Sequence, residues 1–143
     1  MAAGNRGAAE AGGKSIGLSI VLPREQTPNG WITPGLSFRF HYFGIRKMHF
    51  LMRARALAVF PGGFGTLDEL FETLTLVQTG KIRPLPILLF CRAFWQRVIS
   101  FPALAEEGLI DPADLALITW VETAEEGVEA IRAFYSLPAD PPR

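Results

Sequence analysis

The sequence predicts an α/β fold built on a Rossmann-like parallel sheet with helices on both faces. Short apolar segments alternate with longer amphipathic ones along the chain. The short segments are apolar at nearly every residue, as is typical of strands buried on both faces of a parallel sheet. Because predicted strands and helices alternate, we expect the helices to cover both sides of the sheet.

The composition indicates one compact domain. Of the 143 residues, 49% are hydrophobic, and 14 basic side chains balance 14 acidic ones. We expect a single domain over residues 1–136 and a flexible tail at residues 137–143, where prolines cluster. The balanced charge argues against a broad basic face for nucleic acid, whereas a small anionic ligand needs only a local positive site.

Cysteine content and segment length bear on where the chain resides. Cys91 is the only cysteine, so no internal disulfide can form, as is typical of a reducing compartment. No apolar run reaches the roughly 20 residues of a membrane span, and residues 1–14 lack the apolar stretch of a signal peptide. We therefore expect a cytoplasmic protein with no membrane partner.

Apolar periodicity and turn residues predict the individual elements. Strands are predicted at residues 15–22, 56–60, 86–90 and 115–121, and helices at residues 43–53, 67–77, 94–107 and 123–135. Residues 24–37 are predicted to form a loop, and residues 1–13 at most a short helix. Gly80 is expected to end the second helix in a left-handed conformation. The first helix has one apolar side and one basic stripe, formed by Ile45, Met48 and Met52 and by Arg46, His49 and Arg53.

A glycine-rich turn follows the second predicted strand. It reads Pro61-Gly62-Gly63-Phe64-Gly65 and precedes a predicted helix. In a parallel sheet this junction, at the carboxyl end of a strand, is where ligands bind. Glycines let the backbone approach a ligand closely, and the unpaired N–H groups of a helix start attract an anion. The turn therefore predicts a phosphate site.

A purely structural interpretation competes with this one. Thr66 and Glu69 have the T-x-x-E spacing of a capping box, and so do Thr123 and Glu126, where no glycine turn precedes them. Thr66 and Glu69 alone are therefore not diagnostic. The number of glycines favours phosphate binding, because a plain strand-to-helix turn needs fewer.

The segment at residues 61–69, Pro-Gly-Gly-Phe-Gly-Thr-Leu-Asp-Glu, resembles the PGGxGTxxE motif of the LONELY GUY family. Arg46-Lys47 is similar to the family's Arg-Lys pair on the preceding helix, and Asn5-Arg6-Gly7-Ala8 resembles the segment after its first glycine-rich loop. The resemblance covers nearly the entire chain. It implies a phosphoribohydrolase that cleaves the N-glycosidic bond of a nucleoside 5'-monophosphate, a cytokinin nucleotide or AMP, to the free base and ribose 5-phosphate.

The resemblance also implies a role for each matching residue. The 5'-phosphate would be held by backbone groups of Gly62, Gly63, Gly65 and Thr66, with the Thr66 hydroxyl as an additional donor. Arg46, with Lys47 beside it, would contact and position the nucleotide. Glu69 would stabilise the positive charge that develops on the ribose and orient or deprotonate the attacking water. No cofactor or metal is implied, and the expected partner is a second copy of the chain in a homodimer.

Several other residues are interpreted as structural or solvated. His41 and His49 have no ligand-spaced cysteines or carboxylates, and Cys91 has no histidine near it in sequence. Tryptophans are expected in the core or at an interface, although Trp31 stands in a loop that could cover a ligand. The expected solvated side chains are Arg53, Arg55, Asp68 and Glu72.

The beginning of the chain departs from the family pattern. Family members have a strand-helix-strand portion before the position of Met1, ending in a Gly-Gly-Gly-Pro-Gly loop, and usually glutamate where Ala2 stands. We therefore expect a shortened chain with little activity of its own.

Two alternatives stay open at this point. A binding or carrier module would hold a nucleotide or a phosphorylated cofactor without cleaving it. The family's older lysine decarboxylase label would require a Schiff-base lysine for pyridoxal phosphate. The lysines are Lys14, Lys47 and Lys81, and none of them stands in a recognisable cofactor motif.

Overall fold

The computed structural model describes residues 2–21 and 29–137 and confirms the α/β class. Its strands are β1 (Gly17–Ile20), β2 (Ser37–Phe40), β3 (Leu57–Val59), β4 (Ile87–Phe90) and β5 (Ile118–Val121). Its helices are α1 (Ala2–Glu10), α2 (Phe43–Met52), α3 (Phe64–Gln78), α4 (Arg92–Val98), α5 (Phe101–Glu106) and α6 (Ala124–Tyr135), with a 3-10 helix at Pro112–Leu117.

Contacts along the chain separate it into two compact units, Met1–Arg53 and Ala54–Arg143. The single domain expected over residues 1–136 stays a prediction. Residues 138–143 of the expected tail lie outside the described residues.

In the first unit, β1 and β2 form a parallel pair that runs from Gly17 opposite Ser37 to Ile20 opposite Phe40. The loop predicted at residues 24–37 was wrong at its end, because Ser37 already begins β2. Most side chains of β2 are exposed, and its Ser-Phe-Arg-Phe sequence alternates, so a search for wholly apolar strands misses it. The end of the predicted first strand, Leu22, and the first part of the predicted loop, residues 24–28, lie outside the described residues.

The short helix expected at the start of the chain is α1, and side-chain hydrogen bonds fasten it beside β1. Asn5 Nδ2 donates to Ser15 Oγ at 2.6 Å and accepts, through its Oδ1, from Asn29 Nδ2 at 3.0 Å. Ser15, 3% exposed, also donates its backbone N–H to Thr33 Oγ1. Polar contacts with α1 thus hold the segment that leads into β1.

α2 begins at Phe43 as predicted and ends at Met52, one residue before the predicted end, but its predicted apolar side is not buried. Ile45, Met48 and Met52 are 46%, 52% and 63% exposed. Within the described residues, α2 contributes no buried side chain.

In the second unit, the strand order is β3-β4-β5 and both pairs are parallel. All four residues of the central strand β4 are buried, as its unbroken apolar sequence predicts. Ile87 and Leu89 lie in a core with residues of α3, α4 and α5, whereas Leu88 and Phe90 pack with residues of α6. Helices therefore cover both faces of this sheet, as predicted.

Two predicted elements of the second unit were wrong in extent. The helix predicted at residues 94–107 is two helices, because Pro102 lacks an N–H group and its ring clashes with the carbonyl of Val98, where α4 ends. The strand predicted at residues 115–121 begins only at Ile118. A capping box formed by Asp111 and Asp114 starts the 3-10 helix that replaces its first residues.

The end of α3 is as predicted. Gly80 has φ +66, and the Lys81 N–H donates to the Leu76 carbonyl oxygen at 2.8 Å. Only glycine adopts this left-handed conformation without steric cost. Among the helices of residues 2–21 and 29–137, none combines the length and the apolar character needed to cross a membrane.

Candidate functional site

The glycine-rich turn lies at the carboxyl end of β3 and leads directly into α3. Gly63 is the N-cap of α3, in an extended conformation, and its carbonyl oxygen accepts from the N–H groups of Thr66 and Leu67 at 3.0 and 3.1 Å. The N–H groups of Phe64 and Gly65, at the first two helical positions, have no acceptor within the helix. These groups and the positive end of the helix dipole make the turn suited to an anion.

The structure distinguishes the two T-x-x-E segments. Thr123 is the N-cap of α6, where its Oγ1 accepts from the Glu126 N–H at 3.2 Å. Thr66 is not a cap, because α3 begins at Phe64, two residues before it. The capping interpretation of Thr66 and Glu69 is therefore wrong, whereas it holds for Thr123. Glu69 needs another explanation.

The three glycines of the turn have different surroundings. A β-carbon on Gly62 would lie 2.8 Å from Cβ of Thr66 and 3.2 Å from its Cγ2, so Gly62 is required by packing. A β-carbon on Gly63 or Gly65 would meet no heavy atom of the described chain within 4 Å. Neither of these two glycines has a positive φ. Packing explains Gly62, and Gly63 is of a residue type favoured at an N-cap, whereas neither packing nor φ explains Gly65.

Glu69 lies in the second turn of α3 and is half-buried. Its backbone carbonyl oxygen accepts from the Thr73 hydroxyl at 2.7 Å, and Thr73 is fully buried. The preceding residue, Asp68, is exposed, as expected. Glu72 was expected to be solvated too, but it is half-buried and one of its carboxylate oxygens is inaccessible. Burial therefore distinguishes Glu69 and Glu72 from the exposed Asp68, although Glu72 is one helical turn from both of them.

An aromatic pair adjoins the turn and was not singled out by the sequence. The rings of Phe60 and Phe90 are stacked, with centroids 4.3 Å apart and planes inclined by 16°. Phe60 immediately precedes Pro61, and Phe90 ends β4. The sequence signal was that both aromatic residues end adjacent parallel strands and so meet at one edge of the sheet.

Arg46 and Lys47 lie in the first unit, on α2, and both are half-buried. The Arg46 guanidinium carbon lies 5.1 Å from the centroid of the Phe50 ring and 5.8 Å from that of Phe43. Arg53 is exposed, as predicted. The contribution of Arg46 and Lys47 to a site with the turn stays a prediction.

Comparison with known proteins decides the family. A family model described as "Possible lysine decarboxylase" matches residues 1–131. The chain belongs to this family, the LONELY GUY family.

Curated relatives in plants carry the LONELY GUY family's enzyme name. The chain is 35% identical over 91 residues to cytokinin riboside 5'-monophosphate phosphoribohydrolase LOG3 of Arabidopsis thaliana, and this match covers 62% of the chain and 42% of the relative. It is 33% identical over 91 residues to the probable phosphoribohydrolase LOGL3 of Oryza sativa subsp. japonica, covering 62% and 43%. The chain spans less than half the length of these relatives.

Other side chains considered from the sequence do not form a further site. His41 and His49 are exposed, and residues 2–21 and 29–137 contain no group of three or more histidine, cysteine or acidic side chains placed to hold a metal. Trp95 is fully buried, as expected of a core residue, and its Nε1 donates to the Phe90 carbonyl oxygen at 2.8 Å. Trp31 is 44% exposed. Cys91 is exposed.

Proposed function

We propose that this LONELY GUY family member binds a nucleoside 5'-monophosphate on the glycine turn and hydrolyses its N-glycosidic bond, giving the free base and ribose 5-phosphate. The observation that carries the proposal is the open space beside Gly65 in the first turn of α3, directly after the carboxyl end of β3. A glycine in a helix costs roughly 0.5–1 kcal/mol relative to alanine. Gly44 of α2 has equally open surroundings, but Gly65 stands where a strand of a parallel sheet leads into a helix, the place at which such sheets bind ligands, so we assign close approach of a ligand to Gly65.

The ligand at this position would be the phosphate. The N–H groups of Phe64 and Gly65 are available as donors, and the Thr66 hydroxyl adds a third. Three half-charged oxygens of a phosphomonoester match such donors better than a neutral ligand does, since hydrogen bonds to charged acceptors are the stronger ones. We assign Arg46 and Lys47 to the nucleotide as well, with the Arg46 guanidinium donating to phosphate or ribose oxygens.

In the reaction, a water oxygen forms a bond to C1' of the ribose while the bond from C1' to the base nitrogen breaks. The electron pair of the broken bond leaves with the base, which takes up a proton. Positive charge accumulates on the ribose in between, as in other glycoside cleavages. The Glu69 carboxylate would stabilise that charge and orient the water or accept its proton.

The names of the curated relatives support the reaction class. The Arabidopsis relative is named a cytokinin riboside 5'-monophosphate phosphoribohydrolase, and the rice relative a probable one. A lysine decarboxylase activity has less support, because Lys14 and Lys81 are exposed and Lys47 is only half-buried. A Schiff-base lysine with a depressed proton affinity needs a desolvated setting.

We also propose that the chain acts as a homodimer in the cytoplasm. The exposed apolar residues Ile45, Met48 and Met52 of α2 support association, and the single cysteine fits a reducing compartment. Light scattering coupled to gel filtration tests the dimer, and a monomer at all concentrations would contradict it.

The test of the proposed function is incubation of the purified protein with AMP and with a cytokinin riboside 5'-monophosphate, followed by chromatography. We expect free base and ribose 5-phosphate in equal amounts, formed at the low rate expected for this chain. Saturable nucleotide binding without either product would identify a carrier or binding module instead. A protein that neither binds the nucleotide nor forms product would contradict the proposal.

A further inference from the structure

The turn is supported from outside its own motif by Phe60. This residue lies between the end of β3 at Val59 and Pro61, and it is 57% exposed. The described contact that holds its ring is the stack on Phe90, at 4.3 Å between centroids. Stacked aromatic pairs hold their members by more than apolar area alone. Phe60, the residue before the turn, is therefore held in position by its contact with the Phe90 ring.

Two further contacts, one with α6 and one with Trp95, hold Phe90 in place. Its side chain is 8% exposed, and its ring abuts α6 so closely that a β-carbon on Gly127 would lie 3.1 Å from its Cζ. The same β-carbon would lie at an ordinary contact distance of 3.6 Å from Leu88 Cδ1, so a side chain at Gly127 would require the Phe90 ring to shift by a few tenths of an ångström. The Trp95 indole N–H fixes the Phe90 carbonyl oxygen at 2.8 Å.

We propose that Phe90 and Gly127 are positioning residues for the glycine turn. Contact with α6 at Gly127 fixes the position of the Phe90 ring, and stacking on this ring fixes the position of Phe60. The position of Phe60 then determines where the turn starts at Pro61 and Gly62. The proposal rests on the proposed function only in taking the turn to be the phosphate site. Donors that bind a charged group must be held in place by a supporting layer of packed side chains. Here that layer comes from β4 and α6, which are distant from the turn in sequence.

The experiment compares variants that break the stack with variants that keep it. Phe60→Leu and Phe90→Leu each remove one ring, whereas Phe60→Tyr keeps a ring at the exposed position. Gly127→Ala keeps both rings but displaces that of Phe90. Val121→Ala is the matched control, because Val121 is 2% exposed in the same cluster as Phe90 and is not part of the stack.

Two quantities are measured in each variant. The first is the backbone 15N order parameter of Gly62, Gly63 and Gly65 without ligand, and the second is the dissociation constant for AMP. We expect Phe60→Leu, Phe90→Leu and Gly127→Ala to lower the order parameters and to weaken AMP binding by about three- to tenfold. Phe60→Tyr and Val121→Ala should stay within about twofold of the parent protein.

The outcomes separate the two proposals. If Val121→Ala loosens the turn as much as Phe90→Leu does, general destabilisation is the cause and the positioning role is wrong. An unchanged turn in both leucine variants overturns it as well. If the parent protein does not bind AMP, the proposed function fails, but the order parameters still decide the positioning role. Should Phe90→Leu not fold, Phe60→Leu, at an exposed position, gives the same decision.

Discussion

Gly62 and Thr66 are packed against each other so tightly that a β-carbon on Gly62 would lie 2.8 Å from Cβ of Thr66 and closer still to its hydroxyl oxygen. This contact folds the turn back onto the first turn of α3. It also explains why the first glycine of the turn differs in its role from the two that follow.

Replacement of Gly62 by alanine should destabilise the protein through overpacking. We expect the free energy of unfolding to fall by about 1–3 kcal/mol, because the Thr66 side chain has to move. Urea unfolding measures this. Gly44→Ala, where a β-carbon would meet nothing within 4 Å, is the control and should not destabilise. Equal stabilities of Gly62→Ala and the parent would contradict the packing role.

Variants of Thr66 separate its packing from its hydrogen bonding. Thr66→Val keeps a branched side chain against Gly62 but removes the hydroxyl, and Thr66→Ser keeps the hydroxyl. If the hydroxyl donates to the phosphate, valine should weaken AMP binding by about 1.5–3 kcal/mol and serine by much less. Isothermal titration calorimetry measures both. Valine binding as well as the parent would leave Thr66 with the packing role alone.

Glu69 is predicted to act in the chemical step. Because Glu69 lies inside α3 and is not a cap, Glu69→Gln should leave the free energy of unfolding nearly unchanged while turnover falls by about 10² or more. Chromatographic detection of released adenine measures the rate. Asp68→Asn is the control, since Asp68 is the exposed neighbour on the same helix. A Glu69→Gln protein that turns over as fast as Asp68→Asn removes Glu69 from the mechanism.

Arg46 is predicted to bind the nucleotide, and Arg53 is not. Arg46→Ala should weaken AMP binding by about 1.5–3 kcal/mol, the range for a hydrogen bond to a charged group. Arg53→Ala, at an exposed position, should leave AMP binding nearly unchanged. Calorimetric titration of the two alanine variants makes the comparison. Equal losses would mean that α2 contributes only a diffuse positive field.

Much of this architecture could be predicted from the sequence, because burial on both faces of a sheet leaves unbroken apolar segments such as β4. The exposed strand β2 left no such signal. Pro102 was a sequence signal for a helix break, but the helical spacing of apolar residues continued on both sides of it and favoured a single helix. Local signals thus located the buried strand β4, whereas the exposed strand β2 and the boundary between α4 and α5 were missed.

The candidate site was predictable only in part. The glycine turn and Glu69 are adjacent in sequence, so their motif was visible, but T-x-x-E spacing alone did not separate Thr66 from the true cap Thr123. Only the backbone of the turn, with Gly63 as the N-cap, made that distinction. The support from Phe90 and Gly127 depends on contacts across β4 and α6 and left no local pattern.

The central claim, that the space beside Gly65 is kept for a ligand, is tested most directly by Gly65→Ala, with Gly44→Ala as a matched control. Both glycines stand at the second position of a helix, and a β-carbon on either would meet nothing within 4 Å. Both variants should therefore keep or raise the free energy of unfolding, by up to about 1 kcal/mol. AMP affinity, measured by calorimetry, should fall by about tenfold or more in Gly65→Ala and stay unchanged in Gly44→Ala. Full AMP affinity in a stable Gly65→Ala protein would contradict the claim.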